Sequence, residues 1–554
     1  MIKEDIIFLA AVLALSAGHY AVWRGGLVAK YRLLGAAALL PFFAAVYAIT
    51  TSGWENCLIP AYIGAAAYSL AFTAESPKRF LPAAAAVWVC PIAAAVLCLN
   101  AGGYRKPVYL DDFNDMFGMM KKYYVLSDYK QIDWDALHAE YEPQVAALAR
   151  DSDRDYFSIC YRFCEEFNDL HVSAIDAEAR DGEAAIRSVQ ADICGKDPGF
   201  AAVRLDDGRV LACNVSEESE AYAAGLRCGS ELISFDGREI NEHIGSTEPV
   251  YMSFADIDNL EFCRPIMAFG VYGDSAEVGF KAEDGSTVTA HITPSGSYSD
   301  RIRATMRMLF SEFDENSNFV WKDMGGDIAY MELNSFLTAP SLRSKSNWED
   351  IRKLADDEKI KNPWVYFLME TTISEMKAAG KKKLILDLRS NGGGSLDQAE
   401  TVINFFTSEP LYLVTEEYTN FTTGKTVRTE PMMTEGNYGK WEGDIVILVS
   451  PGTVSAAEIF THTMKKLPGV TVMGLTDSGG SAMGVSGTRT ELLGYQFPMY
   501  RMLGEDGSIL IDSGTDMQGG LKRDVELKLD EEAFDAIFLD KKDYTLDEAV
   551  KYLQ

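Results

Sequence analysis

Three short segments of the sequence contain a hydroxyl nucleophile, a glycine-rich loop and an imidazole. In SPGTVSAAEIF, Ser455 follows the apolar run Ile445–Val449 and a turn, and it precedes a helix-forming stretch that begins at Ala456. In LILDLRSNGGGS, the apolar run Leu384–Leu388 leads into three successive glycines. In NDLHVSAI, His171 stands where a predicted helix gives way to a predicted strand. A serine, a histidine and accessible backbone N–H groups are the parts that acyl transfer to a hydroxyl group requires.

Each segment also has a purely structural interpretation. Serine is a favoured N-cap residue, three glycines are typical of a tight turn, and an isolated histidine after a helix is usually structural. The chemical interpretation is that free N–H groups at the helix start and in the glycine loop stabilise an oxyanion. An imidazole whose unperturbed pKa is about 6.5 can then accept and return a proton at neutral pH.

The C-terminal half of the chain predicts the scaffold that positions these segments. From residue 327 onward, predicted strands alternate with predicted helices: strands at Ile328–Leu333, Leu384–Leu388, Ile445–Val449 and Val470–Met473, and helices at Trp364–Ala379, Leu396–Phe406 and Ala456–Lys466. Repeated units of this kind predict a largely parallel sheet with helices packed on it. Residues 300–322 are also predicted to be helical, and residues 334–363 to form a loop or insertion.

The segments upstream have a different character. Residues 107–186 are predicted to be helical, with amphipathic stretches that include Trp134–Leu148 and Tyr156–Phe167. Residues 187–297 contain short alternating apolar segments separated by Asp-Gly turns, which predicts a small β-rich domain. The sequence therefore predicts four regions, with bounds 1–106, 107–186, 187–297 and 298–554.

The first region contains four apolar stretches that are each long enough to cross a bilayer as a helix: Ile6–Trp23, Leu33–Thr51, Cys57–Ala74 and Phe80–Ala101. Basic residues lie in the loops between spans one and two and between spans three and four: Arg24, Lys30, Arg32, Lys78 and Arg79. The positive-inside rule places these two loops in the cytoplasm and everything after Tyr104 outside, although Lys3, Arg105 and Lys106 favour the opposite orientation. The sequence thus predicts a multi-pass cell-membrane protein with an extracytoplasmic C-terminal part.

Charge and cysteine spacing limit the partners of that part. The 554-residue chain has 82 acids and 51 Lys plus Arg, and only four of the acids fall within residues 1–106. The C-terminal part is therefore strongly acidic, which argues against nucleic acid and against anionic membrane faces as its partners. The nine cysteines show no spacing typical of a metal site, so the sequence predicts neither a metal ion nor an organic cofactor.

The motif DLRSNGGGS, followed about sixty residues later by VSAAEIF, resembles the C-terminal processing (tail-specific) peptidases and the related tricorn core peptidases. The resemblance extends over residues 108–535 and includes KKYYV, NDLHVSAI and the tail motif GGLKRDVEL. It implies an α/β fold, the crotonase-like β-β-α superhelix. The segment LACNVSEESEAYAAGLRCGSELISFDGREI resembles a PDZ domain, which the family inserts before its catalytic core. The resemblance then implies a loop near Gly199, Phe200 and Ala201 that receives peptide carboxylates.

Carried over residue by residue, the resemblance makes Ser455 the nucleophile and assigns the oxyanion hole to Ala456 and Gly394, with Gly393 behind. Tail-specific enzymes use a lysine base, but its position falls on Gly480 here, and the chain has no lysine between Lys466 and Lys522. Tricorn-like members use a histidine from the segment that matches NDLHVSA, which is His171 in this chain.

Tricorn-like members also support that histidine with a glutamate near the tail motif, and the nearest match here is Gln518. An amide can orient the ring but cannot stabilise an imidazolium by charge. Asp169 or another acid is the alternative.

The resemblance implies a serine endopeptidase with a Ser-His dyad. Together with the four predicted spans, it predicts a membrane-anchored enzyme that acts on extracytoplasmic proteins or C-terminal peptides. The alternative is an inactive membrane scaffold that binds peptides, which the missing lysine and Gln518 favour. A transporter fits poorly, because the interiors of the four spans contain no ionisable residue except His19.

Overall fold

The computed structural model divides the chain into two compact units, Met1–Lys106 and Pro107–Gln554. It describes these residues, all within the second unit: 109–149, 152–176, 182–248, 251–311, 318–337, 351, 354, 360–436 and 438–554, the side chains of 176 and 182–185 excepted. The four predicted membrane spans lie outside this set. Within it, every helix is too short or too polar to span a bilayer.

The N-terminal part of the second unit is helical, as the sequence predicts. Helices α1 (Tyr109–Tyr123), α2 (Trp134–Ala146) and α3 (Asp153–Glu165) are followed by a short strand, β1 (Ser173–Asp176), and by α4 (Gly182–Ile193). The apolar positions of α1 that recur at helical spacing are buried, and their aromatic rings pack against those of α3, as Phe113 does on Phe163 at 5.6 Å between centroids. This packing fixes the helices against one another just before the chain reaches His171.

The next part, the predicted β-rich part, contains short strands as expected, together with helices of similar total length. A hairpin of β2 (Ala201–Arg204) and β3 (Val210–Cys213) lies beside a four-stranded antiparallel sheet in the order β5-β4-β6-β7: Arg238–Glu239, Leu232–Phe235, Ala276–Lys281 and Thr287–Ile292. The helices of this part are α5 (Glu220–Ala223), α6 (Ile240–Ser246), α7 (Ile257–Met267) and α8 (Tyr298–Phe310). Its buried side chains form a cluster separate from the main one of the C-terminal part, and residues from the end of the chain, such as Phe534 and Phe538, join it.

The C-terminal part contains the predicted parallel sheet. Its strands are β8 (Trp321–Asp323), β9 (Ile328–Glu332), β10 (Lys383–Asp387), β14 (Ile445–Leu448), β15 (Val470–Gly474) and β18 (Val525–Glu526), in the order β18-β15-β14-β10-β9-β8. All pairs are parallel except β8 with β9. Helices α9 (Pro363–Ala378), α10 (Leu396–Ile403) and α11 (Ala456–Met464) alternate with the central strands. Because β10 and β14 are neighbours and parallel, the loops that follow them emerge at the same edge.

Two expectations from the sequence need correction. The predicted helix over residues 300–322 ends at Phe310, where Ser311 adopts a φ of +82°, and Trp321–Asp323 is instead the edge strand β8. The fold also contains a second, antiparallel sheet that the strand–helix pattern did not predict. Its strands are β1, β11 (Tyr412–Thr419), β12 (Thr426–Arg428), β13 (Met432–Met433), β16 (Gly484–Arg489) and β17 (Leu493–Leu503).

Strand β17 joins the helical part to the C-terminal part. Its first residues pair with β1, with Ser173 opposite Gln496, and the later ones pair with β11. The chain then ends in α12 (Glu531–Phe534), one turn of π-helix (Asp535–Leu539) and α13 (Tyr544–Leu553). Because His171 lies two residues before β1, this pairing carries it to the C-terminal part of the molecule.

Candidate active site

Ser455 occupies the N-cap position of α11, in the tight connection between β14 and the helix. Its φ and ψ are +63° and −128°, outside the extended region that N-cap residues ordinarily adopt. A non-glycine residue at positive φ is strained by roughly 1–3 kcal/mol and persists only where its surroundings hold it. The Ser455 N–H donates to the Ser481 carbonyl at 2.9 Å and approaches a carboxylate oxygen of Glu458 at 3.2 Å. Its backbone is therefore held in a conformation that a simple cap does not need.

The glycine loop after β10 lies directly against Ser455. A Cβ atom added at Gly393, where φ is +95°, would stand 2.5 Å from Ser455 Cβ and 2.9 Å from the Ala456 nitrogen. At Gly394, where φ is +134°, it would stand 2.5 Å from the carbonyl carbon of Phe336. Only glycine fits either position, so the loop brings bare backbone up to the serine.

The N–H groups of this region divide into used and available donors. The Gly393 N–H donates to Asn391 Oδ1 at 2.8 Å, so Gly393 contributes close approach and not a free donor, which corrects the oxyanion-hole expectation for this residue. The N–H groups of Gly394 and Ala456 donate to no acceptor within the described part of the chain. These two groups are the available donors beside Ser455.

Buried polar contacts hold the loop in place. The Arg389 guanidinium pairs with Asp387 and with Asp543 at the start of α13, at 2.6 Å in each case. Asn391 Nδ2 donates to the Leu333 carbonyl at 2.7 Å. The loop geometry therefore depends on groups from three separate elements.

His171 is buried at the entry to β1, with 5% of its surface exposed. Its backbone N–H donates to Asp169 Oδ1 at 3.0 Å, and the Tyr124 hydroxyl donates to the other oxygen of that carboxylate at 2.9 Å. Burial lowers the pKa of the His171 imidazole, and the charge of Asp169 opposes that effect. The ring nitrogen Nδ1 is buried without a hydrogen-bond partner among the described residues. The imidazole is therefore neutral at neutral pH and able to take up a proton.

Ser481 connects the segments that carry Ser455 and His171. The Ser481 carbonyl accepts the N–H of Ser455, and its hydroxyl accepts the N–H of Leu170 at 3.0 Å. Leu170 immediately precedes His171. The structure thus brings the two segments together through a third segment, which contains the position where the tail-specific pattern has its lysine.

Glu458 has a larger role than the favourable helix-dipole interaction expected from its position in the first turn of α11. Its carboxylate is fully buried and accepts the Ser478 hydroxyl at 2.5 Å, the Gly480 N–H at 2.7 Å and the Ser481 N–H at 2.9 Å. Burial raises its pKa to about 7, against the effect of these donors. Glu458 therefore holds the segment of Ser481 against the start of α11.

Gln518 is the residue that the resemblance implies as the support of the histidine. Its side chain is exposed, and its backbone forms an isolated β-bridge with Asp256. No hydrogen bond joins Gln518 to His171 among the described residues. Its exposure leaves the expected supporting role without structural evidence.

A buried acid that the sequence reasoning did not single out lies near the histidine segment. Asp512 is 4% exposed, and its Oδ2 accepts the N–H of Ala482 at 2.6 Å. Its Oδ1 is buried without a partner in the described part of the chain. Burial, and then the charge of Asp169, raise the pKa of Asp512 well above its usual range. The apolar run of Ile509, Leu510 and Ile511 before it was the available signal, because a short apolar run predicts a strand that ends beside the tail motif.

The predicted carboxylate-receiving loop has an internal partner. The Gly199 N–H donates to Asp197 Oδ1 at 2.8 Å, and Arg301 pairs with the same carboxylate at 2.6 Å. Phe200 is fully buried, and Ala201 is buried in β2 opposite Cys213. The first of the three predicted binding residues is thus already engaged by a carboxylate of the chain itself.

One group of described carboxylates has the close spacing that a metal site requires. Carboxylate oxygens of Asp256, Asp258 and Asp477 lie within 4.8 Å of one another. Lys522 Nζ stands 2.9 Å from both Asp256 and Asp477, so its ammonium group already neutralises part of this charge. The same pairing engages the Lys522 ammonium group with these two carboxylates.

Two segments of the chain match models of known protein families. Residues 327–527 match the model of peptidase family S41. Residues 108–157 match that of the tricorn protease C1 domain. The S41 match includes Ser455 and the glycine loop, whereas His171 falls between the two matched segments.

Individual relatives agree with this assignment of the matched segments. The chain is 33% identical over 107 residues to the carboxy-terminal processing protease CtpA of Bacillus subtilis (strain 168), which is 19% of this chain and 22% of CtpA. It is 39% identical over 88 residues to the "Probable CtpA-like serine protease" of Staphylococcus aureus (strain COL), 16% of each chain. The matches therefore span less than a quarter of the curated relatives.

The fold extends further than these local identities. The crystal structure of a CPAF mutant has a TM-score of 0.51 and 13% identity, with 80% of this chain and 96% of that one covered. The likeness shows a shared α/β fold. The crotonase-like arrangement and the PDZ identity of the β-rich part stay predictions.

Proposed function

We propose that the protein is a serine peptidase in which Ser455 attacks peptide bonds. The observation that carries this proposal is the strained positive-φ conformation of Ser455, which lies against Gly393 beside the available N–H groups of Ala456 and Gly394. A serine that only caps a helix needs no strained backbone and no glycine loop in contact with it. The local matches to CtpA and to family S41 support the same chemistry.

In the proposed reaction, Ser455 Oγ attacks the carbonyl carbon of the substrate as the His171 imidazole takes the hydroxyl proton. The N–H groups of Ala456 and Gly394 donate to the resulting oxyanion, in line with the role of preorganised backbone donors. The imidazolium then returns the proton to the leaving amine, and an acyl-enzyme forms on Ser455. Water attacks this ester by the same route and regenerates the free serine.

The surroundings of His171 suit a base that acts through its neutral form. Its pKa is lowered by burial, so the neutral imidazole predominates down to a lower pH than in a free histidine. We propose that the negative charge of Asp169 stabilises the imidazolium once it forms, and that Asp512 orients the ring in place of Gln518. The unpartnered Asp512 Oδ1 and His171 Nδ1 support this role, because each has bonding capacity left to satisfy.

The substrate class follows from the relatives and from the sequence. CtpA is named as a carboxy-terminal processing protease, and we propose that this protein likewise cleaves proteins or C-terminal peptides. The predicted spans would anchor it in the cell membrane with its catalytic part outside the cytoplasm. The β-rich part would act as a PDZ-like module that binds peptide ends once Asp197 leaves Gly199.

The test is covalent labelling of the detergent-solubilised full chain with a fluorophosphonate. Labelling of wild type and its loss in Ser455→Ala are expected. No labelling, or equal labelling of Ser455→Ala, would contradict the proposal and favour the inactive scaffold. Cleavage of fluorescently labelled, unfolded casein by wild type and not by Ser455→Ala then distinguishes a peptidase from a serine that reacts but does not turn over.

A further inference from the structure

We infer that Ser481 is a positioning residue whose side-chain hydroxyl sets the placement of His171 relative to Ser455. This inference rests on the proposed function. The Ser481 carbonyl accepts the Ser455 N–H at 2.9 Å, and its Oγ accepts the Leu170 N–H at 3.0 Å. One residue thus bonds to the nucleophile on one side and to the neighbour of the base on the other.

Ser481 is itself rigidly held. It is fully buried, and its N–H donates to Glu458 Oε2 at 2.9 Å. The same carboxylate oxygen receives the Ser455 N–H at 3.2 Å, so Ser455, Glu458 and Ser481 form a closed ring of contacts. The following peptide is fixed as well, because the Ala482 N–H donates to Asp512 at 2.6 Å. A residue with so little freedom can define a distance between two other segments.

The contacts of Ser481 separate into those that any residue makes and one that requires its side chain. The bonds to Ser455 and Glu458 use backbone atoms and persist in an alanine variant. The bond from Leu170 needs the hydroxyl as acceptor, and alanine would leave that N–H without its partner. Because Leu170 directly precedes His171, the freed peptide would allow the imidazole to shift. A misplacement of about 1 Å in a catalytic pair can cost on the order of 100-fold in rate.

The experiment measures fluorophosphonate labelling of the full chain, with kinact and KI determined separately. Ser481→Ala is expected to lower kinact by about 10- to 100-fold. KI should remain within about twofold of wild type, because the groups that receive the probe are unchanged. Ser481→Thr, which retains a hydroxyl, is expected to recover most of kinact. A role in stability alone would not separate kinact from KI in this way.

The matched control is Ser230→Ala in the β-rich part. The Ser230 hydroxyl accepts the Arg227 N–H at 3.0 Å, which is the same kind of bond at the same distance. Its loss should leave kinact unchanged, while thermal unfolding reports the general cost of removing such a bond. An equal fall of kinact in both variants would overturn the inference.

The outcomes distinguish this inference from the proposed function. Normal kinact in Ser481→Ala, with labelling abolished in Ser455→Ala, overturns the inference and leaves the peptidase proposal intact. If the wild-type protein is not labelled, both the inference and the peptidase proposal are contradicted. Should Ser481→Ala fail to fold, Ser481→Cys keeps a similar volume but offers only a weak acceptor. Its kinact is expected to fall at least about fivefold, and a wild-type value would overturn the inference.

Discussion

Gly393→Ala provides a sharp test of the oxyanion-hole geometry. The new Cβ would stand 2.5 Å from Ser455 Cβ and 2.7 Å from the Val454 carbonyl oxygen. Ordinary contacts between carbon atoms are about 3.5–4.0 Å, so Ser455 must move by about 1 Å or more. Such a displacement, or the loss of one oxyanion donor, costs about 100- to 1,000-fold in rate, which corresponds to about 2.7–4 kcal/mol.

A matched variant separates this effect from backbone strain. Gly208, in the turn between β2 and β3, has a φ of +88° compared with +95° at Gly393, and an added Cβ there meets no atom within 4 Å. Alanine at either site incurs a strain of about 1–3 kcal/mol, but only Gly393→Ala displaces Ser455.

The assay is the rate of fluorophosphonate labelling at a temperature where circular dichroism shows both variants folded. Gly208→Ala should label at the wild-type rate, and Gly393→Ala at least about 100-fold more slowly. Near-normal labelling of Gly393→Ala would refute the proposed contact between the glycine loop and the nucleophile.

Four further predictions follow from the described contacts and the sequence. His171→Ala should lower kcat by about 100- to 10,000-fold, which is the range for loss of a general base. Circular dichroism should show that the variant is folded. Near-normal turnover would remove His171 from the mechanism. Because burial lowers the pKa of His171, wild-type kcat/KM should be lost on acidification only below the ordinary histidine value of about 6.5; a midpoint above it would contradict the assignment. Burial raises the pKa of Glu458 from 4.5 to about 7, so its contribution to stability is fully present below pH 4.5 and decreases as pH rises through 7, by roughly 3 kcal/mol. Glu458→Gln should remove that part of the pH dependence in denaturant unfolding, and an unchanged profile would contradict it. Finally, a tag placed after residue 554 should be accessible from outside intact cells, whereas protection would contradict the predicted orientation.

Local sequence patterns predicted most of the individual elements. The apolar runs before the glycine loop and before Ser455 became the adjacent parallel strands β10 and β14, because a buried strand in such a sheet is apolar on both faces. The antiparallel sheet was missed, since β17 combines a proline with irregular alternation, and two of its partners, β1 and β11, lie far away in sequence. Pairing of that kind depends on tertiary context more than on propensity.

The candidate site divides in the same way. Ser455, His171 and the glycines were identifiable because their types and motifs are specific. The role of Gln518 could not be judged from its proximity to a motif, since burial and side-chain direction decide which acid or amide faces a histidine. Asp512 and Ser481 were not singled out, because the apolar run before Asp512 indicates only a strand end, and a bridging serine has no distinctive local signal.

The sequence by itself determined the chemical groups: a serine at a helix start, a loop that only glycine can form, a histidine between a helix and a strand, and the strands that carry them. The tertiary structure alone decided how these groups meet. Strand β17 carries the His171 segment to the C-terminal part, and Ser481 and Glu458 connect it to Ser455. The physical reason is that hydrogen bonds and burial depend on distances between segments far apart along the chain, which local propensity does not specify.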